Sequence, residues 1–351
     1  MNELDQALTR IHSYSFEYGT GLTSHASMVA GALEALGHSA LIEAFLDVYL
    51  PRLELLGEGR EIPREGQSRA FGSGEGEDWL RTFAVELESV NWRDLLRSRL
   101  PELLSGALGA AMHGPDRLAH AVRSLEREDS IERRTELLFG LAYWASRYTE
   151  LSAEAGLRAD KGRGPAIVLR ELDPVPLESS QLETISEAMG YLDKEAGYCA
   201  SLERADLDSG SASEFLSGLC AEASGQYLRH PQARLPYLHG IVGASAFRCL
   251  IPYLKADQAR LGLGAALQCV TSIHSLYGQP EEAFSPKPEM QRLSGSWDEM
   301  RYRAACSVEE HVIELTEVCW REDQICPDER FRMAAADAIL ELDFSRGGRG
   351  G

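Results

Sequence analysis

The sequence predicts an all-α protein, a single large helical bundle-like domain with long irregular connections. Three observations carry this. Apolar residues recur at three- and four-residue steps over most of the 351 positions, alternating strand-like runs are nearly absent, and no shift in composition divides the helices into two sets. In Ala26 to Leu36, the residues Met28, Val29, Ala32, Leu33 and Leu36 fall on one helix face, with Ser24 as the expected N-cap. A second helix is expected over 39–49, ending before Pro51 because proline removes a donor and clashes with the preceding turn. The same reasoning predicts helices over 78–98, 100–112, 115–127, 131–151, 181–193, 213–229, 235–254, 256–277, 299–320 and 329–342. Ala166 to Leu169 is the one β-branched stretch, inside a Gly- and Pro-bearing segment, 156–180, that reads as a connection. Gly57 to Gly76, rich in Gly and charge, and Gln279 to Ser296, with Pro280, Pro286 and Pro288, are expected to be irregular. The domain is expected to span 1–344, with 345–351 a disordered Arg/Gly tail.

Charge narrows the partners. The formal net charge is -20, so the basic footprint that attracts phosphate backbones or anionic lipid is missing, which argues against nucleic acid or a membrane as partner. Only Lys161, Lys194, Lys255 and Lys287 are lysines, so the basic residues are almost all arginine and lysine chemistry has few places to sit. Met1 to Thr20 has early acids and no apolar run, and no window approaches a spanning segment of about 20 apolar residues. The seven cysteines, absent from the first half and without a C-x-x-C pair, fit reduced thiols in a cytoplasm.

Common catalytic motifs are missing. Gly72, Gly74 and Gly76 follow no strand and sit among acids, and Gly262 and Gly264 lie in an apolar helix with Leu267 where a third glycine belongs, so neither forms a dinucleotide fingerprint. There is no Walker loop, no G-x-S-x-G elbow, no H-E-x-x-H and no His-Asp dipeptide. Flavin binding, nucleotide hydrolysis and serine hydrolase chemistry lose their support.

The nine histidines carry more information. His12, His38 and His230 lie near predicted termini and read as ordinary polar residues. His25 opens an apolar helix, where capping is the ordinary role. His113 and His239 each precede a glycine in an apolar stretch; a glycine admits close approach, and a buried imidazole needs a partner, so each is either a satisfied core residue or a ligand. His311 and Glu314 lie three apart on one helix face, the spacing at which a histidine and a carboxylate share a metal in helical bundles. Glu309, Glu310 and Glu317 also make that stretch readable as a solvated acidic face.

Four segments resemble the questin oxidase-like family. They are Glu17 to Met28 with the helix through Gly37; His113-Gly114-Pro115-Asp116-Arg117-Leu118-Ala119-His120-Ala121-Val122-Arg123, continued by Arg134 to Leu137 and Leu141 to Ala145; Leu238-His239-Gly240-Ile241-Val242, running on to Arg248 and Leu250; and Glu310-His311-Val312-Ile313. They occur in order over most of 17–320. The resemblance implies an all-helical oxidoreductase that opens rings of aromatic polyketides, holding non-haem iron with histidines from several helices and a carboxylated lysine. The matching histidines are His25, His113, His239 and His311. Glu314 stands where the family's pattern has the lysine, and Ser24 and Ser27 stand where it has Asn and Pro.

The resulting expectation is one Fe(II), with Mn or Zn as alternatives, bound by His25, His113, His239, His311 and Glu314. An aromatic small molecule and dioxygen would be the substrates, a nicotinamide reductant being an open point. The reaction would be oxidative C-C cleavage or a Baeyer-Villiger-type ring opening. His120 and His274 are expected to orient a ligand imidazole or move a proton, and Tyr14, Phe16, Tyr143, Trp144, Tyr237 and Phe247 to line the inner face. The alternatives are a metal-dependent hydrolase on the same ligands and a non-catalytic helical binding protein.

Overall fold

The computed structural model describes residues 2–151, 154–172, 174–175, 185–192, 195–278 and 281–342. The Arg/Gly tail 345–351 and parts of 156–180 and 181–193 lie outside the described residues. Among those residues the protein is all-α: eighteen α-helices and one two-stranded hairpin, β1 (Glu17–Tyr18) antiparallel to β2 (Leu22–Thr23).

The helices that build the site are α2 (Ala26–Ala35), α7 (His113–Arg127), α13 (Arg234–Leu250) and α17 (Glu310–Ile325). Around them lie α1 (Glu3–Ile11), α3 (Ile42–Tyr49), α6 (Trp92–Leu103), α8 (Ile131–Ser146), α9 (Pro165–Glu171), α12 (Ala212–Arg229), α14 (Ala256–Tyr277) and α18 (Glu329–Glu341). The four site helices contact in a closed order, α2 with α7, α7 with α13, α13 with α17 and α17 back to α2. Their outer faces rest on α8, α12, α14 and α18. Two buried apolar clusters result: a large one running from Phe16 to Leu342, and a smaller one that joins α1, α2 and α3 to Ile313 of α17.

Local chemistry corrects several sequence expectations. Helix 78–98 is two helices, Gly76–Leu87 and α6, because the Asn91 side chain accepts the Asp94 N–H and starts a new helix. Helix 100–112 does not form: α6 ends at Leu103 and two short 3-10 turns follow. Helix 131–151 stops at Ser146, and the side chain of the next residue, Arg147, pairs with Glu17 of the hairpin. Helix 299–320 breaks after Ala305, where Ser307 Oγ accepts the Glu309 N–H and α17 begins afresh. The β-branched stretch Ala166 to Leu169 is helical in α9, with Pro165 at its start supplying a pre-set φ. The expected irregular segments each hold a short helix, Arg64–Ala70 and Pro288–Ser294.

Buried ion pairs tie the bundle together. Arg117 on α7 donates from Nε to Glu136 Oε1 of α8 at 2.7 Å and from Nη2 to Oε2 at 3.2 Å, while His12 Nε2 lies 2.9 Å from Oε2. Burial alone would raise the Glu136 carboxyl, but Arg117 and His12 outweigh it and hold it down at about 2. A depressed carboxyl stabilises the fold above its unfolded pKa, so this contribution is lost as pH falls from about 4.5 toward about 2. Breaking one side of such a pair leaves an uncompensated buried charge. We therefore expect Glu136→Gln to lower unfolding free energy by roughly 3–5 kcal/mol in urea titrations at neutral pH, and to flatten the loss of stability between those pH values.

Candidate metal centre

Each of the four site helices delivers one histidine. His25 is at the junction of β2 and α2, in the N-cap position expected for Ser24, and its own N–H donates to Tyr49 Oη at 3.0 Å. His113 is the first residue of α7, His239 lies in α13, and His311 is in the first turn of α17. The rings form a closed square. Centroids of His25 and His113 are 4.6 Å apart, His113 and His239 4.8 Å, His239 and His311 5.3 Å, and His311 and His25 4.9 Å.

In each ring Nδ1 meets an acceptor close by in sequence. The Nδ1 atoms lie 2.9 Å from Thr23 O in His25, 2.5 Å from Ala110 O in His113, 2.6 Å from Leu235 O in His239 and 2.7 Å from Glu309 Oε1 in His311. The Thr23, Ala110 and Leu235 carbonyls only accept, so Nδ1 of His25, His113 and His239 carries the proton and Nε2 is the lone-pair nitrogen of each neutral ring. The Nε2 atoms of His25 and His113 are 2.9 Å apart, and one ligand atom from each of His25, His113 and His239 fits within 4.8 Å. Two lone pairs at that distance repel unless a cation lies between them. It is also the separation of two nitrogens held at right angles, each about 2.0–2.1 Å from one ion.

Glu314 adds a carboxylate. Its Oε2 is 3.9 Å from His25 Nε2, and its buried Oε1 has no hydrogen-bond partner. Burial, then the nearby Asp116 and other α17 acids, push the Glu314 carboxyl well above the usual range. Burial, with smaller contributions from neighbouring imidazoles, pushes His25 and His239 well below theirs, and burial brings His113 down to about 4. The histidines therefore keep their lone pairs, and one divalent cation would compensate the carboxylate charge that burial opposes. His25, His113 and His239 are thus brought together, whereas the His311 ligand atom groups with Glu309 and Glu310, and Glu314 lies beside His25; three clustered imidazole nitrogens are a donor type that suits a first-row transition metal.

A strained turn aims His113. Ala110, Ala111 and Met112 all have positive φ, 49°, 52° and 71°, a left-handed turn that costs L-residues about 1–2 kcal/mol each. It reverses the chain so that the Ala110 carbonyl meets His113 Nδ1 and Met112 lies on α13. The contact point on α13 is Gly243, where a Cβ would sit 2.7 Å from Met112 Cβ. Gly243 is one turn beyond His239, so the same contact sets the spacing between the two ligand-bearing helices. At Gly114, a Cβ would lie 2.8 Å from the Trp144 backbone, which fixes the start of α7 against α8.

The other residues singled out from sequence have different places. His120 is two turns along α7 from His113; Arg123 Nη2 lies 3.0 Å from its Nδ1, and its Nε2 is 3.8 Å from Asp116 Oδ1. His274 on α14 accepts the Tyr237 hydroxyl at 2.7 Å, within a group that includes His230. Neither orients a ligand ring, because all four Nδ1 positions are taken by Thr23, Ala110, Leu235 and Glu309. Of the aromatic residues, Phe16 stacks on Phe139 and Tyr143, and Trp144 packs on Phe247 and donates to Gly106 O, so these are core contacts. Tyr14 bridges to Leu55, and Tyr237 is engaged by His274 and His230. Tyr143 acts at one remove: its hydroxyl is 2.7 Å from Thr23 Oγ1, two residues before His25. Glu309, which sequence reading took as part of an acidic run, turns out to hold His311, and Tyr49 gave no sequence signal at all.

No family model and no curated protein matches this chain, so its functional reading rests on these residues. Among the described residues no helix is long and apolar enough to cross a membrane. Gly243→Ala should separate α7 from α13. We expect a loss of roughly 1–3 kcal/mol of stability, read as a lower melting temperature, with Gly218→Ala, an open position on α12, as the unaffected comparison.

Proposed function

We propose that the chain is a metal-dependent oxidoreductase in which His25, His113, His239, His311 and Glu314 hold one Fe(II). The observation that carries this reading is the buried cluster of His25, His113 and His239, with one ligand atom of each within 4.8 Å of the others and Nδ1 held by a backbone carbonyl, beside the His311 ring and a buried Glu314 oxygen without a partner. Imidazole nitrogens with a carboxylate oxygen would suit Fe(II); manganese and zinc accept the same atoms. Bound Fe(II) would supply a site at which dioxygen is activated beside an aromatic substrate.

The substrate class and the reaction, oxidative C-C cleavage or Baeyer-Villiger-type ring opening, rest on the likeness of the four histidine-bearing segments to the questin oxidase-like pattern. Glu314 supplies directly the carboxylate that the pattern derives from a modified lysine. The protein's share of the chemistry is positional. Thr23, Ala110 and Leu235 carbonyls and the Glu309 carboxylate lock the rings, and burial keeps water from the ligand face. His311, less buried than the other three rings, marks the side from which substrate would approach.

Protein purified without chelator should contain close to one iron per chain, falling to a few tenths or less in His239→Ala and His113→Ala. A wild-type content already that low, unchanged by His239→Ala, would sink the proposal. Turnover should stop without dioxygen; turnover that continues anaerobically would assign hydrolysis on the same ligands. Full function with alanine at all five positions would instead identify a binding protein. Parallel assays with and without a nicotinamide reductant separate the two ring-opening stoichiometries. Glu309→Ala should weaken metal affinity by about 10- to 100-fold, measured by competition with a chromogenic chelator, because His311 loses its orienting acceptor.

A further inference from the structure

A cleft lies toward the far end of α7 from His113. There α6, α7, the turn after α13 and α17 border an open cleft of about 590 Å³, within the range that holds small ligands. Arg93, Arg97, Arg123, Arg127 and Arg321 line it, against Glu126 as the one lining carboxylate. Such a concentration of guanidinium groups is unexpected on a chain of net charge -20.

We propose that this pocket binds a phosphorylated small molecule carrying a planar ring. The carboxylates nearby are shared, which leaves guanidinium donors over. Glu317 serves both Arg123 and Arg321, Arg321 reaching Glu322 as well, while Glu34 serves both Arg127 and Arg133, and Glu126 takes Arg93 together with the Tyr253 hydroxyl. Arg97 has only the exposed i, i+3 pair with Asp94 at 3.3 Å, a contact that costs little to exchange for a ligand. Arg123 and Arg321 form the deeper part, and Arg93, Arg97 and Arg127, about half exposed, stand at the rim. Guanidinium forks match phosphate oxygens two at a time, which favours a phosphate dianion over a single carboxylate.

The walls supply the ring specificity. Tyr253, Pro252, Val122 and Cys249 make an apolar side. Tyr253 lies 5.9 Å from Trp92, centroid to centroid, Arg97 is 5.9 Å over the Tyr253 ring and Arg93 is 4.1 Å over Trp92. Trp92 is buried behind the cleft, so Tyr253, backed by Trp92 and with Arg97 beside it, is the aromatic face offered to a flat ring joined to a phosphate.

Isothermal titration of the full chain with phenyl phosphate, inorganic phosphate and phenol tests the proposal. Phenyl phosphate should bind saturably and at least about tenfold more tightly than inorganic phosphate, and phenol should not saturate. The double variant Arg97→Gln, Arg127→Gln should lose at least about tenfold for phenyl phosphate with an unchanged melting temperature and unchanged metal content. Tyr253→Leu should weaken phenyl phosphate and leave inorganic phosphate as it was. Absence of saturable phenyl phosphate binding up to about 10 mM, equal affinity in the double variant, or equal affinity for phenol would each overturn it. Because these variants leave the histidines alone, failure here is separate from failure of the metal reading.

Discussion

Three buried imidazoles, those of His25, His113 and His239, each bring a nitrogen within 4.8 Å of the others, the His311 ring closes the circle beside them, and much of the surrounding structure holds them there. Each ring is fixed from behind by an acceptor that no water can easily replace: the carbonyls of Thr23, Ala110 and Leu235 and the carboxylate of Glu309. Each acceptor lies within four residues of its histidine in sequence, so local backbone geometry sets the proton position. The convergence of the Nε2 atoms is a different matter. It depends on four helices meeting in a closed order, and it brings two of those atoms to 2.9 Å. A cation at the centre would change repulsion into coordination and would stabilise the folded chain by mass action.

Holding that geometry has a backbone cost. Three consecutive non-glycine residues, Ala110 to Met112, sit in the left-handed region directly before His113. The conformation persists because the surrounding packing over-determines it: Met112 is fully buried on Gly243, and the first turn of α7 is pressed against Trp144. Strain of this kind, adjacent to a ligand-bearing residue, is where a fold stores the work of positioning.

Charge is organised on the same helices. On α7, His113, Asp116, His120 and Arg123 follow one another along the buried face, and on α17 His311, Glu314, Glu317 and Arg321 do the same. The two lines face each other, with the histidines at one end and the Arg123–Glu317–Arg321 pairing at the other. Asp116 Oδ2 and Glu314 Oε1, both buried without a partner, mark the stretch between them, and burial raises the carboxyl of each. Arginine suits these positions because its guanidinium stays charged when buried and serves two carboxylate oxygens in one plane, as Arg117 does for Glu136. The near absence of lysine is thus consistent with a bundle braced by fixed ion pairs, between which the Asp116 and Glu314 carboxyls each keep a buried oxygen without a partner.

The helical class was legible in the sequence because amphipathic periodicity is a local property, and His113 and His239, two of the three histidines that cluster, stood out by their apolar settings and glycine neighbours. Helix ends were legible only where a cap residue announced them, and the merged spans 78–98 and 299–320 were missed because capping at Asn91 and Ser307 competed with an unbroken apolar rhythm. Nothing in Ala110-Ala111-Met112 announces a left-handed turn, since alanine ordinarily favours the right-handed helix; that conformation is imposed by contacts with α13. The sequence by itself determined the helical class, the charge and which histidines and carboxylates are available. Tertiary structure alone decided which nitrogens face one another, that His274 belongs with Tyr237 and His230 instead, and that scattered arginines gather around Tyr253, because each of these depends on helices distant in the chain being packed together.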